Sequence, residues 1–314
     1  MQYITNSIIM ITNMTMLYIL VLRSYFMSEV SSEKPKTFEE KIIEREKTLI
    51  EEIEEERSKG IEKIEKKAVK TAKVIVIFPA RNEESTIKKC IEIAKQSKYK
   101  PEVIVSDGHS TDKTAEIAKK AGAKVTRPNV RLHPGKGAAM IAGLKAAFED
   151  KPDVIVFLDA DIMNLTPDWI DSLVDAILIE GYDMSRGWYL RAPSDASVTK
   201  LVAKPMLWTF FPEISHYEQP LSGEVAAKAS AWEKLINGEE PPQGWGIDVW
   251  FLIEASMKGF NIKEVFLGTK SHRSYLTYAT DVSKLAKMGE QVGVTIIQEA
   301  VRYHRIDNVW SIKT

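Results

Sequence analysis

The chain has 314 residues, enough for one large α/β domain with extensions, and its 43 basic and 44 acidic side chains leave a formal net charge of -1. That balance supplies no field for nucleic acid as a partner, so any anion site must be local. The single cysteine, Cys90, excludes an intrachain disulfide framework, and its place in the helical run Ile87-Lys88-Lys89-Cys90-Ile91 marks it as a buried, inert thiol.

Residues 8–22 are apolar, but Thr12, Asn13 and Thr15 interrupt them and they fall short of the roughly 20 residues that cross a bilayer. Neither a basic start nor a small-residue cleavage site marks a signal peptide. Translation from Met27 and a weak membrane contact through residues 1–26 are both open readings, with the cytoplasm as the expected location. From Thr37 to Lys73 the chain is rich in Glu, Lys, Ile and Arg, with Phe38, Ile42, Leu49, Ile53, Ile61 and Ile64 at near-helical spacing. Residues 27–73 therefore read as a charged helical arm, in which any coiled-coil contact ends at Gly60.

The pattern changes at Val74-Ile75-Val76-Ile77-Phe78, a continuous β-branched and apolar run of the kind buried on both faces of a parallel sheet. Residues 86–97 have helical periodicity, and 103–107 form a second strand. Ser110-Thr111-Asp112 caps another helix, 124–126 make a short strand, 138–149 a small-residue helix, and 154–158 the next buried strand. This alternation predicts a doubly wound α/β sheet whose ligands sit beyond the carboxyl ends of its strands. Pro79 to Glu83, Asp107 and Asp159 each follow the last apolar residue of such a strand, so all should open onto one crevice.

Asp159 and Asp161, one small residue apart, supply the hard oxygens that Mg²⁺ or Mn²⁺ needs when it bridges a diphosphate. The bland alternative is a turn into Asn164-Leu165-Thr166-Pro167. Lys136 lies between Gly135 and Gly137 ahead of a helix, an arrangement that suits an anion on both the ammonium and the backbone; a plain flexible turn is its alternative.

The segments Phe78 to Glu84, Asp107 to Thr114 and Asp159-Ala160-Asp161 resemble the family 2-type glycosyltransferases. With Pro134-Gly135-Lys136-Gly137, Ala203-Lys204-Pro205, Gln219 to Glu224, Gly244-Trp245-Gly246-Ile247-Asp248 and His272-Arg273, the chain is similar to the glucosyl-3-phosphoglycerate synthases from about Val74 to Val292. The resemblance implies a GT-A fold over residues 74–275, with a helical extension over 276–314. It also implies transfer of glucose, with retention, from UDP- or GDP-glucose to 3-phosphoglycerate. It places Pro79, Ala80, Arg81, Glu83, Asp107 and Asp159 at the nucleotide, and Lys136 beside it. Asp161 and His272 become the Mg²⁺ or Mn²⁺ ligands. Asp248, where the family has a glutamate, orients the acceptor hydroxyl or caps its helix.

The acceptor side departs from the family. A Gly-Arg-x-Thr stretch appears as Ala196-Ser197-Val198-Thr199, keeping Thr199 and losing the arginine, and a family asparagine is Ser274. Arg186, Arg191, Lys200 and Arg273 are the nearby candidates for a phosphate. Two rival readings stand beside this one: a polyprenyl-phosphate sugar transferase, and a non-catalytic interaction protein. Over residues 282–303 an apolar stripe of Leu285, Met288, Val292, Ile296 and Ala300 must bury against its own domain or against a second copy in a homodimer.

Overall fold

In the computed structural model, which describes residues 51, 58–129, 135–191, 195–273 and 282–306, the apolar run at 74–78 lies inside a seven-stranded sheet. The readings made for residues 1–26 and most of the arm, and for Pro134 and Ser274, fall outside the described residues. By contacts the chain divides into two units, Met1–Glu62 and Lys63–Thr314. Residues 58–62 of the first are helical, Gly60 included. A helix-interior glycine costs only about 1 kcal/mol, which Glu- and Lys-rich neighbours absorb. Among the described residues, no helix is long and apolar enough to cross a membrane.

In the second unit β1 (Val74–Ala80), β2 (Glu102–Asp107), β3 (Lys124–Thr126) and β4 (Val154–Phe157) are joined by α1 (Ile87–Ala94), α2 (Thr114–Lys120) and α3 (Lys136–Phe148). These four strands pair in parallel. After α4 (Pro167–Leu178) come β5 (Met184–Leu190), a π-helical turn Thr199–Ala203, α5 (Lys204–Phe210) and β6 (Val225–Lys228). Then follow α6 (Ala229–Ile236), α7 (Ile247–Met257), β7 (Ile262–Thr269) and α8 (Val282–Arg302). The strand order is β3-β2-β1-β4-β6-β5-β7. β6 runs antiparallel to both neighbours, so the sheet is mostly, not wholly, parallel.

Alternation along β1 builds the two cores. Val74, Val76 and Phe78 enter one face with α1 and α4, while Ile75 and Ile77 enter the other with α3, α6 and α7. Cys90 is fully buried in the first core, and burial pushes its thiol up to about 12, as an inert structural cysteine requires. α7 is buried all round, and the C-terminal stripe finds its partner beside it: Val292, Ile296 and Ala300 of α8 pack with Val249, Leu252 and Ile253.

The small residues of α3 let it lie close on β1. A Cβ on Gly143 would stand 2.6 Å from Ile77 Cγ2, a β-branched side chain fixed inside the core. Gly143→Val should therefore destabilise the protein by about 1 to 3 kcal/mol, read as a lower denaturant midpoint at unchanged m-value.

Candidate active site

Asp159 leaves the end of β4 and meets two ammonium groups. Lys136 at the start of α3 lies 3.0 Å away, and Lys270 just after β7 lies 2.8 Å away. Each lysine has a second carboxylate: Lys136 pairs with Asp248 at 2.9 Å, and Lys270 with Glu224 at 2.7 Å. The result is an alternating row, Glu224, Lys270, Asp159, Lys136, Asp248, assembled from five separate elements. Burial opposes charge on Asp159, but the pairing reverses this, and its carboxyl is held well below its usual range by Lys136 and Lys270. Burial likewise opposes charge on both lysines, yet the neighbouring carboxylates hold them above their ordinary value.

Asp248 differs. It lies in the first turn of α7 and is 2 % exposed; burial and, more weakly, the Asp159 charge outweigh Lys136 and push its carboxyl up to about 6. Its Oδ2 accepts from Lys136, while Oδ1 has no hydrogen-bond partner among the described residues. Such an atom is an acceptor awaiting a donor.

Asp161 follows β4 and His272 follows β7. The Ile162–His272 bridge, with Arg273 N donating to Asp161 O and Met163 N donating to Ser271 O, ties the two segments together by their main chains. Asp161 Oδ2 then lies 3.5 Å from His272 Nδ1, and His272 Nε2 lies 3.0 Å from Asp195 Oδ2. Burial opposes charge on this imidazole, but the two carboxylates raise it to about 9. Asp195 is drawn down to about 2 despite its own burial, chiefly by the bond to His272 and then by Arg191.

All of these titratable groups except Glu224 line one cleft of about 810 Å³, which also takes in Pro79, Ala80, Arg81, Glu83 and Thr199. Asn82 holds the first of these loops in shape: its φ is +59°, its Oδ1 accepts from Thr111 N and its N donates to Ser110 Oγ. Glu83 accepts from Arg273 at 2.8 Å, so that arginine, although it lines the cleft, braces the loop.

Three expectations need correction. Asp107 does not line the cleft; it is fully buried, accepting from Arg127 Nε at 2.7 Å and from Ser110 N, and its neighbour Gly108 takes the cleft position. The backbone after Gly135 is not an open anion cradle, because Gly137 N and Ala138 N donate to Gly244 O and Gln243 O. Both glycines exist for that packing: a Cβ on Gly137 would stand 1.9 Å from Pro242 O. Only the Lys136 side chain faces an anion. Arg186 is likewise no surface donor, being fully buried with Nη2 donating to Pro220 O. Conversely, Lys270 and Asp195 line the cleft, and Lys270 also donates to Glu224 at 2.7 Å and to the Tyr189 hydroxyl at 3.5 Å. Lys270 was findable, since it follows a strand and precedes His272 by two, but a lone lysine carries no motif.

A mostly parallel α/β sheet with carboxylate, lysine and histidine converging beyond its strand ends defines a glycosyltransferase of the GT-A fold that uses a nucleotide sugar. The family model Glycosyl transferase family 2 matches residues 75–225. Glucosyl-3-phosphoglycerate synthase of Mycobacterium tuberculosis is 32% identical over 254 residues, 74% of this chain and 75% of that one. The synthase of Petrotoga mobilis is 31% identical over 265 residues, 77% of each chain. A crystal structure of the M. tuberculosis enzyme with Mn²⁺, UDP and glucosyl-3-phosphoglycerate matches with a TM-score of 0.66 at 32% identity, over 77% of this chain and 84% of that one. The chain belongs to the glucosyl-3-phosphoglycerate synthase family. It is an enzyme, and the non-catalytic reading falls.

Removing Lys270 would strand Glu224, which is fully buried, beside Asp159. Lys270→Met should cost about 3 to 5 kcal/mol of unfolding free energy in urea titration, far more than its exposed-lysine counterparts.

Proposed function

We propose that this enzyme transfers glucose from UDP-glucose to 3-phosphoglycerate with retention, using Mg²⁺ or Mn²⁺. The observation that carries the reading is the meeting of two half-sites in one cleft: Asp161 beside His272, and the unpartnered Oδ1 of Asp248. The M. tuberculosis relative has been crystallised with UDP-glucose, phosphoglyceric acid and Mn²⁺, and with Mg²⁺ and UDP, which supports this choice of donor, acceptor and ion.

The residues fit such an ion. Asp161 offers a hard oxygen and His272 a nitrogen, and among the described residues no group of three or more His, Cys, Asp or Glu is arranged to hold a metal by itself. Two protein ligands with phosphate and water completing the shell is how such ions bind nucleotide diphosphates. Bound there, the ion supplies a Lewis acid for the departing diphosphate. Asp195 fixes the His272 ring through its other nitrogen, as carboxylates do behind metal-bound histidines. Lys136 and Lys270 keep charge compensation within the cleft as the diphosphate's negative charge grows. Pro79, Ala80, Arg81 and Glu83 frame the nucleotide. Asp248 Oδ1 accepts from the acceptor hydroxyl and aims it at the sugar from the face the diphosphate leaves.

The polyprenyl-phosphate alternative drew on the apolar segment 1–26, which lies outside the described residues, and on the arginine missing from the 196–199 loop; the 32% identity to a glucosyl-3-phosphoglycerate synthase over 254 residues speaks against it.

The direct assay mixes enzyme, UDP-glucose, Mn²⁺ and 3-phosphoglycerate, and follows UDP release with NMR of the product. An α-linked phosphorylated glucosylglycerate is expected; UDP release that is equally fast without 3-phosphoglycerate would contradict the acceptor. Asp248 must be ionised to accept the hydroxyl proton, and its carboxyl is protonated below about 6, so kcat/KM should fall as pH drops through that value. The residual activity of Asp248→Asn should lack this limb. Asp195→Asn should weaken Mn²⁺ binding in the presence of UDP by about 10- to 100-fold in a spin-resonance titration.

A further inference from the structure

Arg186 lies in the middle of β5, between β6 and β7, and is fully buried. A guanidinium cannot shed its proton to escape burial, so such a charge is kept only at a cost that an aliphatic side chain would avoid. Its hydrogen bonds go to main-chain carbonyls: Nη2 donates to Pro220 O at 3.0 Å, to Asp248 O at 3.3 Å and to Ser222 O at 3.4 Å. Nε and Nη1 have no hydrogen-bond partner among the described residues, so none of their carboxylates is bonded to this guanidinium.

The charges that face it come from two elements. Asp248 at the start of α7 favours its charge most, and Glu264, its register partner on β7, comes next. Glu264 is partly exposed and accepts from Glu218 N and Gln219 N. Burial pushes the Tyr189 and Tyr217 phenols up, so neither is charged near neutral pH. Asp248, by contrast, is buried and short of positive charge. The row sets three carboxylates, Glu224, Asp159 and Asp248, against two lysines, and Lys136 is divided between Asp159 and Asp248. Arg186, anchored on the Asp248 carbonyl, brings the third cation, and with it the fully ionised row is neutral. Together with the stronger pull of Lys136, it opposes the rise that burial and Asp159 impose on the Asp248 carboxyl.

We propose that Arg186 is a positioning residue of the transfer reaction, a buried counter-charge that holds Asp248 ionised and ties its helical turn to the 220–222 segment while the acceptor hydroxyl binds. This rests on the reading of Asp248 given above. Arginine suits the task because its planar fork serves several carbonyls at once. Carbonyl partners leave its full charge in place, where a bonded carboxylate would cancel it.

The test is the pH dependence of kcat/KM with UDP-glucose, Mn²⁺ and 3-phosphoglycerate for the full chain and its Arg186→Gln, Arg186→Lys and Asp248→Asn variants. The acceptor phosphate titrates at about pH 6 in every case, so differences between variants are what is read. Without the counter-charge Asp248 keeps its proton to higher pH. The acid limb of Arg186→Gln should therefore lie about one unit above the parent's, with that of Arg186→Lys within about 0.3 of it. An Arg186→Gln profile that superimposes on the parent's, while Asp248→Asn alters it, would overturn the Arg186 assignment alone and leave the guanidinium to Glu264. A profile unaltered in Asp248→Asn as well would take the Asp248 reading down with it. Urea unfolding at pH 7 gives the second readout: adding Asp248→Asn should restore midpoint lost in Arg186→Gln, or folding if that variant does not fold. No recovery in the double variant would mark a purely structural arginine and overturn the proposal.

Discussion

The structure depends on a row of alternating charges buried at the end of the sheet: Glu224, Lys270, Asp159, Lys136 and Asp248. Desolvating any one of these groups costs several kcal/mol, and only a close opposite charge offsets that. The row therefore tolerates little misplacement. Its members come from the residue before β6, the residue after β7, the end of β4, α3 and α7, so it forms only when all of these elements stand in register. The fold is, in this sense, a device for bringing five distant residues within 3.0 Å of their neighbours.

That demand explains details that would otherwise look incidental. Gly223 has to be glycine because a Cβ there would stand 2.3 Å from Asp159 Oδ1. Gly135 and Gly137 let α3 press against residues 242–244, which sets Lys136 between Asp159 and Asp248. The antiparallel β6 brings Glu224 to the same end of the sheet as Asp159. The main-chain ties between residues 161–163 and 271–273 do for Asp161 and His272 what the ion pairs do for the row.

Much of this is legible in the sequence. Buried strands β1, β2 and β4 announce themselves as unbroken β-branched runs, and Asp159, Asp161 and Lys136 stand out because they follow such runs or sit between glycines. β5 and β6 do not: Met184–Leu190 contains Arg186 and Gly187, and Val225–Lys228 is short and alanine-rich, so neither carries a strand pattern. Lys270 and Asp195 are hard to read for a different reason, although Lys270 stands at a strand end two residues before His272. Their meaning comes from what they face across the cleft, and a lone charge in a sequence reads as a solvated surface. Asp107 failed in the opposite direction, since its position at a strand end was right and its side chain turned inward to Arg127.

The central claim is that Lys136 is the shared cation of Asp159 and Asp248, and a double-mutant cycle measures this directly. Unfolding free energies would be compared for the parent, Lys136→Met, Asp248→Asn and the double variant. The account predicts that Asp248→Asn restores about 1.5 kcal/mol or more of what Lys136→Met removes, because it discharges the carboxylate left stranded. Additive losses, with no recovery in the double variant, would contradict it.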